Sequence, residues 1–300
     1  MTAREIPFVK MNGLGNDFVV FDARDVSVRL TDAQIAAIGD RRSGIGFDQM
    51  IIVEKSPLGV DAFMRIYNRD GGQVDACGNA TRCIGRLLME EKDTDRATIE
   101  TNAGLLMAFA TGDEARVTVD MGEPKLEWQQ IPLAEEFRDT RAIELQIGPI
   151  DAPVLHSPAV VNMGNPHAIF FVDDIEAHDL ERFGPLLEHH PVFPEHANIT
   201  LAQITGENEI RAKVWERGVG LTRACGTAAC ATGVAAARKR LTGRHVTVTL
   251  PGGPLDIEWR ESDGHVMMTG DTELEFFGAL DMDTLDTGKP VWRREEQGAA

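Results

Sequence analysis

Short apolar runs rich in β-branched and aromatic residues recur along the chain, each bounded by Gly, Asp or Asn. They are Phe18-Val19-Val20-Phe21, Met50-Ile51-Ile52-Val53, Val117-Thr118-Val119, Ala168-Ile169-Phe170-Phe171-Val172 and Val246-Thr247-Val248-Thr249-Leu250. Runs of this length between turn residues predict strands. Helical spacing is rarer. Thr31-Asp32 caps a short helix ending near Gly39, and Asp179 to Leu187 takes the equivalent place in the second half. The longest helical stretches are Asn79 to about Glu91 and Thr227 to about Leu241. Their apolar residues fall at helical spacing, as in Ile84, Leu87 and Leu88, which predicts a buried helix in each half. Strands and helices interspersed in this way, in duplicate, define an α+β class.

Polar punctuation repeats as well. Ala76-Cys77-Gly78-Asn79-Ala80-Thr81-Arg82-Cys83 and Ala224-Cys225-Gly226-Thr227-Ala228-Ala229-Cys230 are near-copies, and the lead cysteines, at 77 and 225, are 148 positions apart. Asn68-Arg69 matches Glu216-Arg217 at the same offset, while Gly15-Asn16 matches Gly164-Asn165, and Gln49 matches Asn198, at 149. Self-similarity at half the chain length predicts two copies of one domain facing each other, each bringing one thiol to a shared cleft. The expected lobes are 1–125 and 126–269. The acidic, proline-punctuated segment from Gly122 to Ile150 would bridge them, and 281–300 reads as a charged, solvated tail.

With 300 residues and 43% hydrophobic content, two cores are affordable, and a soluble globular class is expected. The formal charge of −18 disfavours nucleic acid and anionic membrane surfaces as partners. No apolar run reaches membrane-spanning length, and the first residues lack a signal peptide's apolar stretch, so a cytoplasmic protein is expected. Four cysteines do not make a disulfide framework. Nor is a metal expected: Cys77 with Cys83, and Cys225 with Cys230, would point apart on a helix, and His189, His190 and His196 lack ligand spacing. Cys83 and Cys230 read as structural.

Cys77 and Cys225 each precede a helix, whose unpaired first-turn amides and positive dipole end would lower a thiol's pKa toward a poised thiolate. The amides of Gly78-Asn79 and Gly226-Thr227 would hold a carboxylate there. Inverting a carbon stereocentre without a cofactor requires one group to remove a proton from one face and another to deliver one to the opposite face. Paired thiols supply that. Asn16, Gln49, Asn68, Asn165 and Asn198 recognise ammonium and carboxylate groups without competing for the moving proton. Arg217 offers a fork for a carboxylate and Glu216 a partner for an ammonium. His167, between a turn and a strand, reads as a structural histidine.

Seven motifs, in order between about residues 8 and 278, resemble the diaminopimelate epimerase family: Lys10-Met11-Asn12-Gly13-Leu14-Gly15-Asn16-Asp17-Phe18, Gly44-Ile45-Gly46-Phe47-Asp48-Gln49, Asn68-Arg69-Asp70-Gly71, Cys77-Gly78-Asn79, Gly164-Asn165-Pro166-His167, Glu216-Arg217-Gly218 and Ala224-Cys225-Gly226-Thr227. The resemblance implies two pseudo-symmetric lobes, each a mixed sheet or barrel wrapped around a central helix, the first completed by a returning strand near 270–280, and cofactor-independent conversion of LL- to meso-diaminopimelate for lysine and peptidoglycan synthesis. It implies Cys77 and Cys225 as base and acid, with Gly78, Asn79, Gly226 and Thr227 on the reacting carboxylate. Asn16, Gln49, Asn68, Asn165, Asn198, Glu216 and Arg217 would bind the rest, Arg217 on the distal carboxylate. A homodimer is compatible with this picture. Ala80 and Ala228 stand where many members carry glycine. Alternatives are a proline or hydroxyproline racemase on the same scaffold, disfavoured by Arg217, Asn68 and Asn198; a thiol-redox or amino-acid-binding protein, which would need a resolving cysteine; and a pyridoxal enzyme, which would need a lysine that the conspicuous loops do not offer.

Overall fold

The computed structural model describes residues 4–75 and 77–295. It divides into two compact lobes, one taking residues up to Val119 together with those from Asp271 onward, the other Asp120–Gly270.

In the first lobe the strands Glu5–Gly13 and Asn16–Asp22 form a hairpin, closed at the Gly13–Asn16 pair. Its turn residues Leu14 and Gly15 both have positive φ, 59° and 78°, the twist that two-residue hairpins need. Asn16–Asp22 runs parallel to Gln49–Glu54, which pairs antiparallel with Ala62–Asn68; that strand runs parallel to Arg96–Thr101. Helix α1 (Asp32–Gly39) begins on the predicted cap, Thr31, which forms a reciprocal capping box with Gln34. Helix α2 (Gly78–Lys92) lies against the strands Arg96–Thr101 and Gly104–Ala110, and a Cβ at Gly85 would stand 2.4 Å from that of Ala108. That approach is why the helix has glycine there.

The second lobe repeats the plan. Ala159–Asn162 and Pro166–Phe171 make the hairpin, Pro166–Phe171 runs parallel to Asn198–Gly206, and the latter pairs antiparallel with Glu209–Glu216, which runs parallel to His245–Leu250. Helix α3 (Leu180–Glu188) is capped by Asp179. Helix α4 (Gly226–Arg238) is buried around most of its circumference, as a central helix must be, and packs on strands from both ends of the lobe. It stops three residues short of the expected Leu241 because Arg240 turns left-handed, φ 60°, and the Leu241 amide closes back on the Ala236 carbonyl.

The expected solvated tail is instead built into the first lobe as far as Glu295. Glu273–Asp281 pairs with Glu5–Gly13, and Val291–Glu295 pairs with Glu273–Asp281. Trp292 stacks on Phe276, with ring centres 5.9 Å apart, and meets Phe8 edge-on. Charges on the exposed face of an edge strand gave the segment its tail-like composition. The last residues of that expectation, 296–300, lie outside the described residues.

Candidate active site

Each lead cysteine is the N-cap of its lobe's central helix, and both hold nearly the same extended backbone: φ −148°, ψ 113° at Cys77 and φ −136°, ψ 107° at Cys225. Neither cysteine makes a side-chain cap bond to its first turn, where the amides of Gly78-Asn79 and Gly226-Thr227 could receive an anion.

In the first lobe the hairpin lies on the start of α2. A Cβ at Gly13 would stand 3.4 Å from the Asn79 carbonyl oxygen, and Cys83 Sγ is 3.7 Å from the Asn12 carbonyl. Burial pushes the Cys83 thiol up to about 12, which fits a structural residue. Gln49 and Asn68 face each other in register, Gln49 Nε2 donating to Asn68 Oδ1 at 3.1 Å. Gln49 Oε1 is buried with no donor among the described residues, so it can accept from an N–H group of a ligand. Asn79 turns its side chain to Arg82, which donates to Asn79 Oδ1 at 3.0 Å, leaving the backbone amide as its offering to a ligand. A charged network fixes the loops that carry Asn16 and Gln49. Lys10, only 4% exposed, donates to Asp17 Oδ2 and to the Gly46 carbonyl, both at 2.5 Å, while Arg41 bridges Asp17 and Asp48. Burial pushes Asp17 upward, but the bonds from Arg41, Asp48 and Lys10 outweigh it and hold the carboxyl well below the usual range.

In the second lobe nearly every expected residue joins one chain of contacts. Asn198 Nδ2 donates to the Pro166 carbonyl at 3.1 Å, and its Oδ1 accepts from the Arg217 amide at 2.9 Å. Its side chain thus ties two loops together. Arg217 projects outward, with Nη1 on the Glu195 carbonyl at 2.7 Å. Glu216 accepts from the Thr222 hydroxyl and hydrogen-bonds with the Cys225 thiol. Burial raises Glu216 first of all, and the bonds from Thr222 and Cys225 only partly offset it.

Cys225 departs from the expected poised thiolate. Burial and the neighbouring Glu216 carboxylate raise it well above its ordinary value, against the weaker pull of Thr227, whose Oγ1 lies 3.6 Å away, and of the Ala228 amide. The helix N-terminus is present but outweighed, so Cys225 rests as a thiol.

His167 is fully buried, as suits a structural histidine. Its Nε2 lies 2.7 Å from Asn165 Oδ1; since that oxygen can only accept, Nε2 carries the proton and Nδ1 is left as a bare acceptor with no partner among the described residues. Burial, with Arg217 nearby, pulls its pKa down to about 3, so the ring is neutral.

The architecture is that of a known scaffold. A hydroxyproline epimerase from Agrobacterium vitis, solved with trans-4-hydroxy-L-proline bound, superimposes with a TM-score of 0.62 at 16% identity, covering 95% of either chain. A phenazine biosynthesis protein of the PhzF family from Bacillus anthracis gives 0.61 at 17% identity, covering 91% of this chain and 98% of its own. Sequence is more specific than fold here. The diaminopimelate epimerase family matches residues 8–127 and 159–275. A diaminopimelate epimerase of Afipia carboxidovorans is 58% identical over 92% of this chain and 95% of its own length, and one of Rhodopseudomonas palustris is 58% identical over 91% and 93%. The chain belongs to the diaminopimelate epimerase family.

Proposed function

We propose that the protein epimerises LL-diaminopimelate to the meso form without a cofactor, Cys77 and Cys225 acting as the two acid–base groups. The observation that carries the reading is the pair of N-cap cysteines held in one backbone geometry at equivalent places of a duplicated fold. In the direction for which Cys225 is the acid, the Cys77 thiolate removes the α-proton and becomes a thiol. The electron pair left on carbon spreads into the carboxylate, where helix-terminal amides of Gly78, Asn79, Gly226 and Thr227 stabilise the developing charge. Cys225 then gives its proton to the opposite face and is left as thiolate. Proton exchange with solvent restores the starting pair.

Asn16, Gln49, Asn68, Asn165, Asn198, Glu216 and Arg217 bind the rest of the substrate, directly or through the loops they fix. Diaminopimelate carries a second amino-acid end, and the outward guanidinium of Arg217 suits its carboxylate. A proline or hydroxyproline substrate offers nothing for that group. Lysine and peptidoglycan synthesis would place the activity in the cytoplasm, and a homodimer is compatible with it.

The test is isotopic. In heavy water, early product from one pure isomer should carry deuterium at the inverted carbon while remaining substrate carries almost none, because the acid has exchanged with solvent and the base returns the same proton it took. Equal early labelling of substrate and product would point to a single base and remove the paired-cysteine mechanism.

A further inference from the structure

Glu188 is the last residue of α3, and only 4% of it is exposed. The position suits an acid poorly, since it is dry and at the negative end of the helix dipole. Its contacts account for it. Glu188 Oε2 accepts from Trp215 Nε1 at 2.7 Å and Oε1 from the Gly218 amide at 2.8 Å, while its backbone carbonyl accepts from the Ala197 amide at 3.3 Å. Trp215 and Gly218 flank Glu216 and Arg217 on either side, and Ala197 precedes Asn198. Three bonds from one residue therefore reach both strands that carry the second lobe's polar residues.

The turn those bonds hold is itself demanding. The Val219 amide closes on the Glu216 carbonyl at 3.0 Å, and Gly218 sits left-handed at φ 73°, as the third residue of such a turn requires. Arg217 is the first of its two central residues, and its side chain is exposed. The helix is cut to fit as well: a Cβ at Gly184 would stand 2.5 Å from the Trp215 ring. His189 and His196 bring ring nitrogens near the same carboxylate, all within 4.8 Å, but both Glu188 oxygens are already engaged by the protein.

We infer that Glu188 is a positioning residue for substrate recognition: it fixes the Glu216-Arg217-Gly218 turn, and so the aim of the Arg217 guanidinium, without touching substrate. The inference rests on the reading of Arg217 and Glu216 as substrate-binding groups. Glu188→Gln keeps the volume but replaces one acceptor oxygen by a donor, so either Trp215 or Gly218 loses its partner.

The experiment compares Glu188→Gln, Arg217→Met and the double variant by steady-state kinetics on LL-diaminopimelate, with thermal melts alongside. In Glu188→Gln, KM should rise about tenfold while kcat stays within about twofold, and the double variant should bind no worse than Arg217→Met alone. A folded Glu188→Gln enzyme with unchanged KM, whatever its melting temperature, overturns the inference. If Arg217→Met leaves KM unchanged, the distal-carboxylate reading has failed instead, and a KM rise in Glu188→Gln then places the effect on Glu216. Should Glu188→Gln not fold, Trp215→Phe removes one donor and keeps the ring; a KM rise of about threefold supports the inference, and an unchanged KM overturns it.

Discussion

Replacing Lys10 by Met tests whether the charged network of the first lobe holds up the loops bearing Asn16 and Gln49. The substitution keeps most of the apolar stem and deletes a nearly buried ammonium with two short bonds, one to Asp17 and one to the Gly46 carbonyl. Removing one member of a buried ion pair typically costs about 3–5 kcal/mol when nothing else compensates. Arg41 still grips both oxygens of Asp17, at 3.0 and 2.7 Å, so the expected loss is smaller, about 2–3 kcal/mol. The assay is urea unfolding of the full chain, with hydrogen exchange at the hairpin amides to localise the loss. The pH dependence follows from Asp17, held below its ordinary 3.8. A depressed carboxyl stabilises the fold fully above its unfolded value, and that stability disappears as pH falls toward the folded value. The gap between wild type and Lys10→Met should therefore be constant near neutrality and narrow below about pH 4. A loss under about 0.5 kcal/mol, or a gap that stays constant into acid, would refute the reasoning.

Two further substitutions probe the second lobe. Glu216→Gln removes the carboxylate that helps to keep the Cys225 thiol protonated, so the pH midpoint for alkylation of Cys225 should move down; an unmoved midpoint would mean that burial alone sets it. Gly184→Ala drives a methyl group into the Trp215 ring, and should cost about 1–3 kcal/mol in a denaturation assay and raise KM together with it, whereas a neutral result would mean that α3 shifts without cost.

The elements whose signals are local were legible in the sequence. Thr31 caps the first helix as expected, the helix expected over Asp179 to Leu187 lies at Leu180–Glu188, and the cysteine motifs open the two central helices, because caps and helical spacing act over only a few residues. What could not be read depends on distant neighbours. Val291–Glu295 looks like tail until Glu273–Asp281 is beside it and Phe8 receives Trp292. At Cys225 the helix terminus is a local effect that lowers the pKa, while burial and Glu216, which depend on the folded surroundings, raise it and prevail. Glu188 was lost among 48 acidic residues. Its one sequence signal is an acid in the last turn of a helix, where the dipole disfavours it.

Duplication kept the backbone and changed the chemistry that supports it. Asn12 and Asn162 each accept a turn amide of their own hairpin at 2.8 Å, and Phe18 lies beside Gln49 as His167 lies beside Asn198 in equivalent parallel pairs. Around that common frame the first lobe uses Lys10, Asp17, Arg41 and Asp48, while the second uses a neutral His167 and the Glu188 carboxylate. The sharpest difference is at the 148-residue offset itself, where Asn68 of the first lobe answers to Glu216 of the second. The Glu216 carboxylate, bonded to Cys225, disfavours a thiolate there. A two-base inversion needs one proton, not two or none, on its pair of thiols. Burial and the Glu216 carboxylate both favour the proton on Cys225, so the resting second lobe suits the direction of the proposed mechanism in which Cys225 is the acid, and the reverse direction has to move that proton first.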